Sequence, residues 1–348
     1  MASDPPDGVP LLEVEHLHCT FRTGSRLLRR ESIVRAVDDV SFALIRGEAF
    51  GLVGESGSGK TTIGRSIVRL IEPNGGSIRF RGKPIDGLRG KSLLSYRRHV
   101  QMIFQNPYGS LNPRRRVSDI LGDAYAIHGL ARGREARVRM SALMHRVGLR
   151  PDMLDRFPHQ FSSGQRQRIG IARALSVEPS LIVADEPVSA LDVSVQAQVL
   201  NLVRSLQADL GLTVLFISHD LRAVAFLCER IAVLYLGQIM EIGTRSTIVE
   251  HPKHPYTQAL IASIPSLVPG EGVTRELIRG EISDQVPPVG GCVFAPRCAL
   301  RQRLGNPERC TSTRPALQPL GDGHAAACHF TEEADLIATG RITKEVHR

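Results

Sequence analysis

Ala49-Phe50-Gly51-Leu52-Val53-Gly54-Glu55-Ser56-Gly57-Ser58-Gly59-Lys60-Thr61-Thr62 is the stretch on which the fold of this chain turns. Its first five residues are apolar and strand-sized. They run directly into Gly54–Thr61, which fits the pattern G-x-x-x-x-G-K-[ST]. The glycines let the backbone curl so that successive N–H groups point at one anion. A helix expected from Lys60 to Ile71 adds its positive N-terminal end to the same point. In this pattern Lys60 reaches the β- and γ-phosphates and Thr61 binds Mg²⁺. Gly54, Glu55, Ser56, Gly57, Ser58, Gly59, Lys60, Thr61 and Thr62 are therefore the candidate triphosphate-binding residues. The pattern points to a nucleoside triphosphatase without saying which one.

Outward from this loop, residues 11–250 alternate strands and helices, which predicts an α/β core with parallel strands. Strands are expected at Leu11–Leu17, Val40–Ile45, Ala49–Val53, Ser77–Arg81, Val100–Phe104, Leu181–Ala184, Thr213–Ile217, Ile231–Tyr235 and Gln238–Ile242. Leu181-Ile182-Val183-Ala184 is apolar at every position, as a strand buried on both faces must be. It ends in Asp185-Glu186. The C-terminal edge of a parallel sheet is where ligands bind in open α/β folds. Asp185 suits the Mg²⁺ shell, and Glu186 suits an attacking water. Thr213–Ile217 likewise ends in Ser218-His219-Asp220, placing His219 on the same kind of edge. Segment 115–160 carries no clear strand and reads as helical.

Between these sites lies Phe161-Ser162-Ser163-Gly164-Gln165-Arg166-Gln167-Arg168, which resembles the LSGGQ signature of the ABC ATPases. Other motifs of that family accompany it in the usual order. Gln105, in Ile103-Phe104-Gln105-Asn106-Pro107, matches the Q-loop. Ser189-Ala190-Leu191-Asp192 matches the D-loop, and His219 matches the switch histidine. Phe21 sits where the family has an aromatic residue stacked on adenine. The resemblance implies a P-loop NTPase domain of the ABC type over 11–250. It would have an antiparallel β subdomain and a helical subdomain at about 106–176. It implies ATP as substrate, with Thr61, Gln105 and Asp185 around Mg²⁺ and Glu186, His219 and Gln105 in catalysis. Two such domains would face each other head to tail. Ser162, Ser163, Gly164, Gln165 and Asp192 would then act on the ATP of the other domain. Ser163 departs from the family's glycine. Its Cβ is expected to weaken that composite site if the position is left-handed.

Composition narrows the setting. The net charge is +9, and residues 90–160 alone hold 13 Lys and Arg against 5 Asp and Glu, an excess of 13 − 5 = 8. Such an excess suits an anionic surface or a solvated helical face. No apolar run approaches the ~18 residues of a membrane-spanning helix, and residues 1–10 do not resemble a secretory signal. The expectation is a peripheral protein on the cytoplasmic face of the inner membrane, with residues 1–10 flexible. A soluble ABC ATPase acting on nucleic acid is the competing reading. The chain lacks the second cassette or long coiled-coil insertion usual there, so nucleic acid is not expected as a partner. Residues 22–35 read as a basic hairpin loop or insertion.

The composition shifts near residue 251. Residues 251–348 hold 10 of the 21 prolines and four of the six cysteines, which predicts an irregular extension with few helices. His251-Pro252-Lys253-His254-Pro255-Tyr256-Thr257 resembles the stretch that follows the ATPase domain in oligopeptide, dipeptide and nickel permeases. Tyr108-Gly109-Ser110-Leu111-Asn112-Pro113-Arg114 also looks like an ATPase subunit of that family. The resemblance implies an importer of peptides or a related solute. Its partners would be a second ATPase subunit (a paralogue), two transmembrane permease subunits and an extracytoplasmic binding protein. Cys292, Cys298, Cys310 and Cys328 are spaced C-x5-C, C-x11-C and C-x17-C. Four thiolates suit zinc or an iron–sulfur cluster, and the spacing alone does not choose between them. Resemblance to permease subunits implies [4Fe–4S], with Zn²⁺ or buried free thiols as alternatives and His324 and His329 as alternate ligands. Cys19 and Cys228 read as small core hydrophobes.

Overall fold

The computed structural model describes residues 9–23, 32–263 and 288–334. Most of the expected flexible start, and residues 24–31 of the basic loop, lie outside them. The chain opens with strands β1 (Pro10–Thr23), β2 (Ser32–Ile45) and β3 (Ala49–Val53), then helix α1 (Lys60–Ile67). Next come β4 (Gly75–Phe80), β5 (Lys83–Pro84), α2 (Gly90–His99), β6 (Val100–Ile103), α3 (Pro107–Ser110), α4 (Val117–His128), α5 (Gly133–Arg146) and α6 (Ser163–Leu175). They are followed by β7 (Leu181–Asp185), α7 (Val193–Leu210), β8 (Thr213–Ser218), α8 (Leu221–Leu227), β9 (Arg230–Tyr235), β10 (Gln238–Thr244), α9 (Arg245–Glu250) and α10 (Pro255–Ala262). The last described elements are α11 (Ala299–Arg303), α12 (Arg309–Ser312), β11 (Gln318–Gly321) and β12 (His324–Ala326). Helix α1 stops at Ile67, short of the expected Ile71, because Arg69 takes a positive φ of 58°. Two compact units divide the chain, and the boundary passes between Lys60 and Thr61.

The first unit comprises Met1–Leu17, Ser41–Phe50 and Thr61–Ser218. Its core includes parallel strands in the order β8-β7-β6. Every residue of β7 and β8 is buried, which accounts for their unbroken apolar sequences. The registers are Ile103↔Ala184 between β6 and β7 and Ala184↔Phe216 between β7 and β8. The C-terminal ends of these strands therefore finish level with one another. Helices fill the segment expected to be helical. Helix α4 buries Val117, Ile120, Leu121 and Tyr125 along one face and ends at Gly129, φ +64°. Helix α5 does the same with Ala136, Met140, Leu143 and Met144. Four of the five acidic residues of this basic segment pair with its arginines: Asp123 with Arg115, Asp155 with Arg137, Glu135 with Arg139 and Asp152 with Arg150.

The second unit comprises His18–Val40, Gly51–Lys60 and His219–Arg348. Its strands run β11-β12-β10-β9-β3. Leu236 and Gly237 connect β9 to β10 with φ of 45° and 80°. Two successive positive values make the tight hairpin turn whose twist matches its strands. The region after residue 251 is less irregular than its composition suggests. It supplies α10 and two strands, and β12 pairs antiparallel with β10 through Glu241↔Ala326 and Ile242↔Ala325. The Glu241 carboxylate is fully buried. It accepts hydrogen bonds from the Lys253 N–H (2.6 Å) and the His254 N–H (3.0 Å) and pairs with His324 Nε2 at 2.7 Å. A buried carboxylate requires partners of this kind, so Glu241 fastens two stretches of the extension, at Lys253-His254 and at His324, to the sheet. Cys19 and Cys228 are both 1% exposed, as expected of core residues.

Candidate active site

The second unit carries the phosphate loop. Strand β3 is buried throughout and delivers Gly54 to the surface of the core. Gly59 has φ +102°, and a Cβ there would lie 2.1 Å from the Ala36 carbonyl oxygen. No other residue fits that space. The hairpin turn supports the loop, since Gly237 N–H donates to the Ser58 carbonyl at 2.9 Å. Lys60 is 4% exposed. Its Nζ donates to the carbonyls of Gly54 (2.7 Å) and Glu55 (2.8 Å) and to Ser58 Oγ (3.1 Å). The ammonium is thus stored on the loop that a triphosphate would occupy. Ser56 and Gly57 are exposed, as are Phe21 at 38% and His219. An accessible aromatic face is what stacking on a base requires.

The first unit carries the acidic edge. Thr61 Oγ1 donates to Asp185 Oδ1 at 2.9 Å, with Asp185 2% exposed. Gln105 Nε2 donates to Glu186 Oε2 at 3.0 Å. The level ends of β6 and β7 bring Gln105, Asp185 and Glu186 to one edge, and α1 supplies Thr61. Glu186 has φ +44°, a left-handed value that costs about 1–2 kcal/mol for a residue with a Cβ. The surroundings hold it there. Its N–H donates to the Ile217 carbonyl at 2.9 Å, and its own carbonyl accepts from Ser189 Oγ at 3.0 Å. Asp192 is the N-cap residue of α7, and its carbonyl accepts from Gln196 N–H at 2.8 Å.

Ser162, Ser163, Gly164 and Gln165 form the start of α6. Ser162 Oγ accepts from Gln165 N–H at 3.3 Å, and Gln165 Oε1 accepts from Ser162 N–H at 3.1 Å. This reciprocal cap explains the Ser-x-x-Gln spacing. At Gly164 a Cβ would meet Val195 Cγ1 at 2.5 Å, so glycine there lets α6 approach α7. Ser163 is the first residue of α6 and is not among the positive-φ residues. The left-handed strain considered for it from the sequence is therefore absent.

Cys292, Cys298, Cys310 and Cys328 line one pocket in the second unit, together with Phe294, Phe330 and Leu300. Burial pushes the Cys292 thiol up to about 11 and those of Cys298 and Cys328 up to about 12; Cys310 is raised by the same cause. Among the described residues, no three His, Cys, Asp or Glu side chains are arranged to hold a single metal ion. His329 lines the same pocket, whereas His324 is engaged with Glu241.

A further contact is announced by no sequence motif. Arg297 Nη1 lies 3.2 and 3.1 Å from the two carboxylate oxygens of Glu55, and the Glu55 N–H donates to Tyr256 Oη at 3.0 Å. Arg297 and Glu55 are 242 residues apart, and no local pattern links them.

A glycine loop ending in Lys-Thr, a Ser-capped helix start and then an acidic strand end, in that order along the chain, define an ABC-type ATPase cassette. The sequence matches the ABC transporter family over residues 37–189 and the oligopeptide/dipeptide transporter C-terminal region over residues 240–303. A peptide import ATP-binding protein of Brucella ovis is 48% identical over 319 residues, covering 92% of this chain and 97% of that protein. The oligopeptide transport ATP-binding protein AppF of Bacillus subtilis is 44% identical, with the same coverages. Among solved structures, the dimeric ATP-binding cassette MJ0796, in a post-hydrolysis state with ADP and phosphate, is 27% identical. It aligns at a TM-score of 0.60 over 67% of this chain and 98% of that one. The cbiO1 subunit of Clostridium perfringens, part of the cbiONQ transporter complex, gives 0.59 at 26% identity over 71% and 92%. This chain belongs to the ABC transporter family and is one of its ATP-binding subunits.

Proposed function

We propose that this subunit hydrolyses ATP to drive import of peptides through membrane partners. The pairing of Gln105 with Glu186 beside Thr61 and Asp185 carries the hydrolytic reading. ATP lies with its phosphates on Gly54–Thr62 and its adenine on Phe21. Lys60 leaves the loop carbonyls for the β- and γ-phosphates. Thr61, Asp185 and Gln105 are neutral and anionic oxygen donors suited to Mg²⁺. When bound, that ion neutralises charge on the β- and γ-phosphate oxygens. Glu186 accepts a proton from the attacking water, Gln105 orients it, and His219 contacts the γ-phosphate. Ser162, Ser163, Gly164, Gln165 and Asp192 act on ATP held by a second ATPase subunit, a paralogue. The dimeric state of MJ0796 supports the pairing of two cassettes.

Peptide as cargo is supported by the matched C-terminal region and by the names of the relatives. The remaining partners are two permease subunits and an extracytoplasmic binding protein, at the cytoplasmic face of the inner membrane. Among the described residues, no helix is long and apolar enough to cross a membrane, so docking to a permease provides the attachment. Residues 11–250 are the ATPase domain, with the helical part at about 106–176, and residues 251–348 are the extension.

For the four cysteines the proposed group is a [4Fe–4S] cluster, with Zn²⁺ as the alternative; the reading is supported by all four lining one pocket. Cys292, Cys298, Cys310 and Cys328 would hold it, and its chemistry would be a structural cross-link between thiolates. Iron, sulfide and zinc analysis of anaerobically purified protein tests this; finding none of them removes it.

The test of the function is the intact complex carrying Glu186→Gln. It is expected to bind ATP, accumulate as a closed ATPase dimer and stop transport. Near-normal turnover would mean that Glu186 is not the group that takes the proton from water. Co-purification with nucleic acid instead of membrane subunits would favour the competing reading.

A further inference from the structure

The second residue of the phosphate loop is a glutamate, and a carboxylate there opposes the anion the loop exists to bind. Glu55 does not stand alone. Arg297, whose side chain is 3% exposed, places Nη1 within 3.2 Å of both carboxylate oxygens and donates also to Tyr235 Oη at 3.2 Å. The backbone at the same position is held separately, because Glu55 N–H donates to Tyr256 Oη at 3.0 Å. Tyr256 is fully buried, and its ring packs against Tyr235 and Phe294 with centroids 4.7 and 5.3 Å away. Arg297 and Phe294 come from the cysteine-bearing turn and Tyr256 from α10. The extension therefore grips the phosphate loop twice at one residue, once by charge and once by backbone.

We infer that Arg297 and Tyr256 are positioning residues for ATP: the C-terminal extension is a brace that neutralises Glu55 and fixes the curl of the phosphate loop. This rests on the reading of Gly54–Thr61 as the ATP site. Two physical effects combine. The Arg297 charge cancels that of Glu55, so the approaching triphosphate does not meet a bare anion. The Tyr256 hydroxyl occupies the Glu55 N–H and leaves the later N–H groups of the loop to face the phosphates. Arg297 immediately precedes Cys298, so the turn that lines the thiol pocket also carries the brace.

The experiment measures equilibrium binding of a fluorescent ATP analogue to the intact transporter complex. Arg297→Gln is expected to weaken binding about tenfold, because it leaves a partly buried carboxylate unpaired beside the phosphates. Adding Glu55→Gln to Arg297→Gln is expected to recover most of that loss, since the uncompensated charge is then gone. Tyr256→Phe keeps the ring and removes the hydroxyl; a loss of about threefold is expected. Turnover at saturating ATP should stay near the unaltered level in Arg297→Gln and in Tyr256→Phe, so that the loss is read in affinity. A merely structural role predicts lower thermal stability, unchanged affinity in the folded fraction and no recovery on adding Glu55→Gln. That result overturns the inference. Lys60→Ala run in parallel separates the two claims. If it abolishes binding while Arg297→Gln does not change it, the brace fails and the ATP site stands. If Lys60→Ala binds normally, ATP is not held at Gly54–Thr61 at all.

Discussion

Glu186 and Glu55 are both carboxylates placed among residues read as the triphosphate site, and they are treated in opposite ways. At the strand edge of the first unit, Glu186 accepts a hydrogen bond from the Gln105 amide, and neighbouring Asp185 accepts one from the Thr61 hydroxyl. Those hydroxyl and amide donors orient the two carboxylates in a way that suits a cation and a water. In the phosphate loop of the second unit, Glu55 meets a buried guanidinium that cancels its charge. The strand-edge carboxylates thus accept from neutral side chains, whereas the loop carboxylate meets a cation. The backbone shows the same contrast. Glu186 is held at a strained φ of +44°, as residues at reacting centres often are, whereas Glu55 is held by a tyrosine from a distant segment.

The contrast is broken most forcefully at the strand edge. Glu186→Gln keeps the shape and removes the proposed base, so steady-state ATP turnover should fall about 10²–10⁴-fold while nucleotide binding persists. If turnover and binding fall together, Glu186 holds the site in shape instead of acting on water. The Arg297→Gln and Glu55→Gln pair is the matching test in the loop, with an effect on affinity instead of turnover.

A smaller effect should appear in stability. His254 is fully buried in the extension, and desolvation lowers its pKa to about 4. The unfolded chain takes up a proton near pH 6.5, the folded one only near pH 4. Stability is therefore complete above pH 6.5, falls as the pH drops through that interval and levels off below it. The loss amounts to roughly 3 kcal/mol. His254 Nδ1 caps α10 by accepting from Tyr256 N–H at 3.0 Å. Asparagine can take over that cap without titrating. His254→Asn should thus flatten the dependence of the unfolding midpoint on pH between 6.5 and 4. An unchanged slope would assign the dependence elsewhere.

The smallest effect is expected at the signature. Ser163→Gly relieves no left-handed strain, because Ser163 opens α6 with ordinary helical geometry. ATPase activity of the complex should shift by no more than about twofold. A large gain would mean that the Ser163 side chain obstructs the partner's nucleotide.

The parts that the sequence made legible are those whose chemistry is local. Gly54–Thr61 announces its turn through glycines, Leu181–Asp185 its burial through an unbroken apolar run, and Ser162–Gln165 its cap through spacing. Each is decided within a few residues. The extension was opaque for the opposite reason. The pairing of β12 with β10, the buried Glu241–His324 contact and the Arg297–Glu55 ion pair join residues tens to hundreds of positions apart. Proline-rich sequence with weak periodicity leaves no trace of such partners. The four cysteines could be singled out by count but not brought together. The end of α1 at Ile67 was missed because the left-handed residue there is Arg69, not a glycine.

The decisive measurement is binding and cleavage of radiolabelled ATP by the intact complex, with and without Lys60→Ala. The unaltered complex should bind and cleave ATP, and Lys60→Ala should lose both. A Lys60→Ala complex that retains both would show that the triphosphate is not held at Gly54–Thr61.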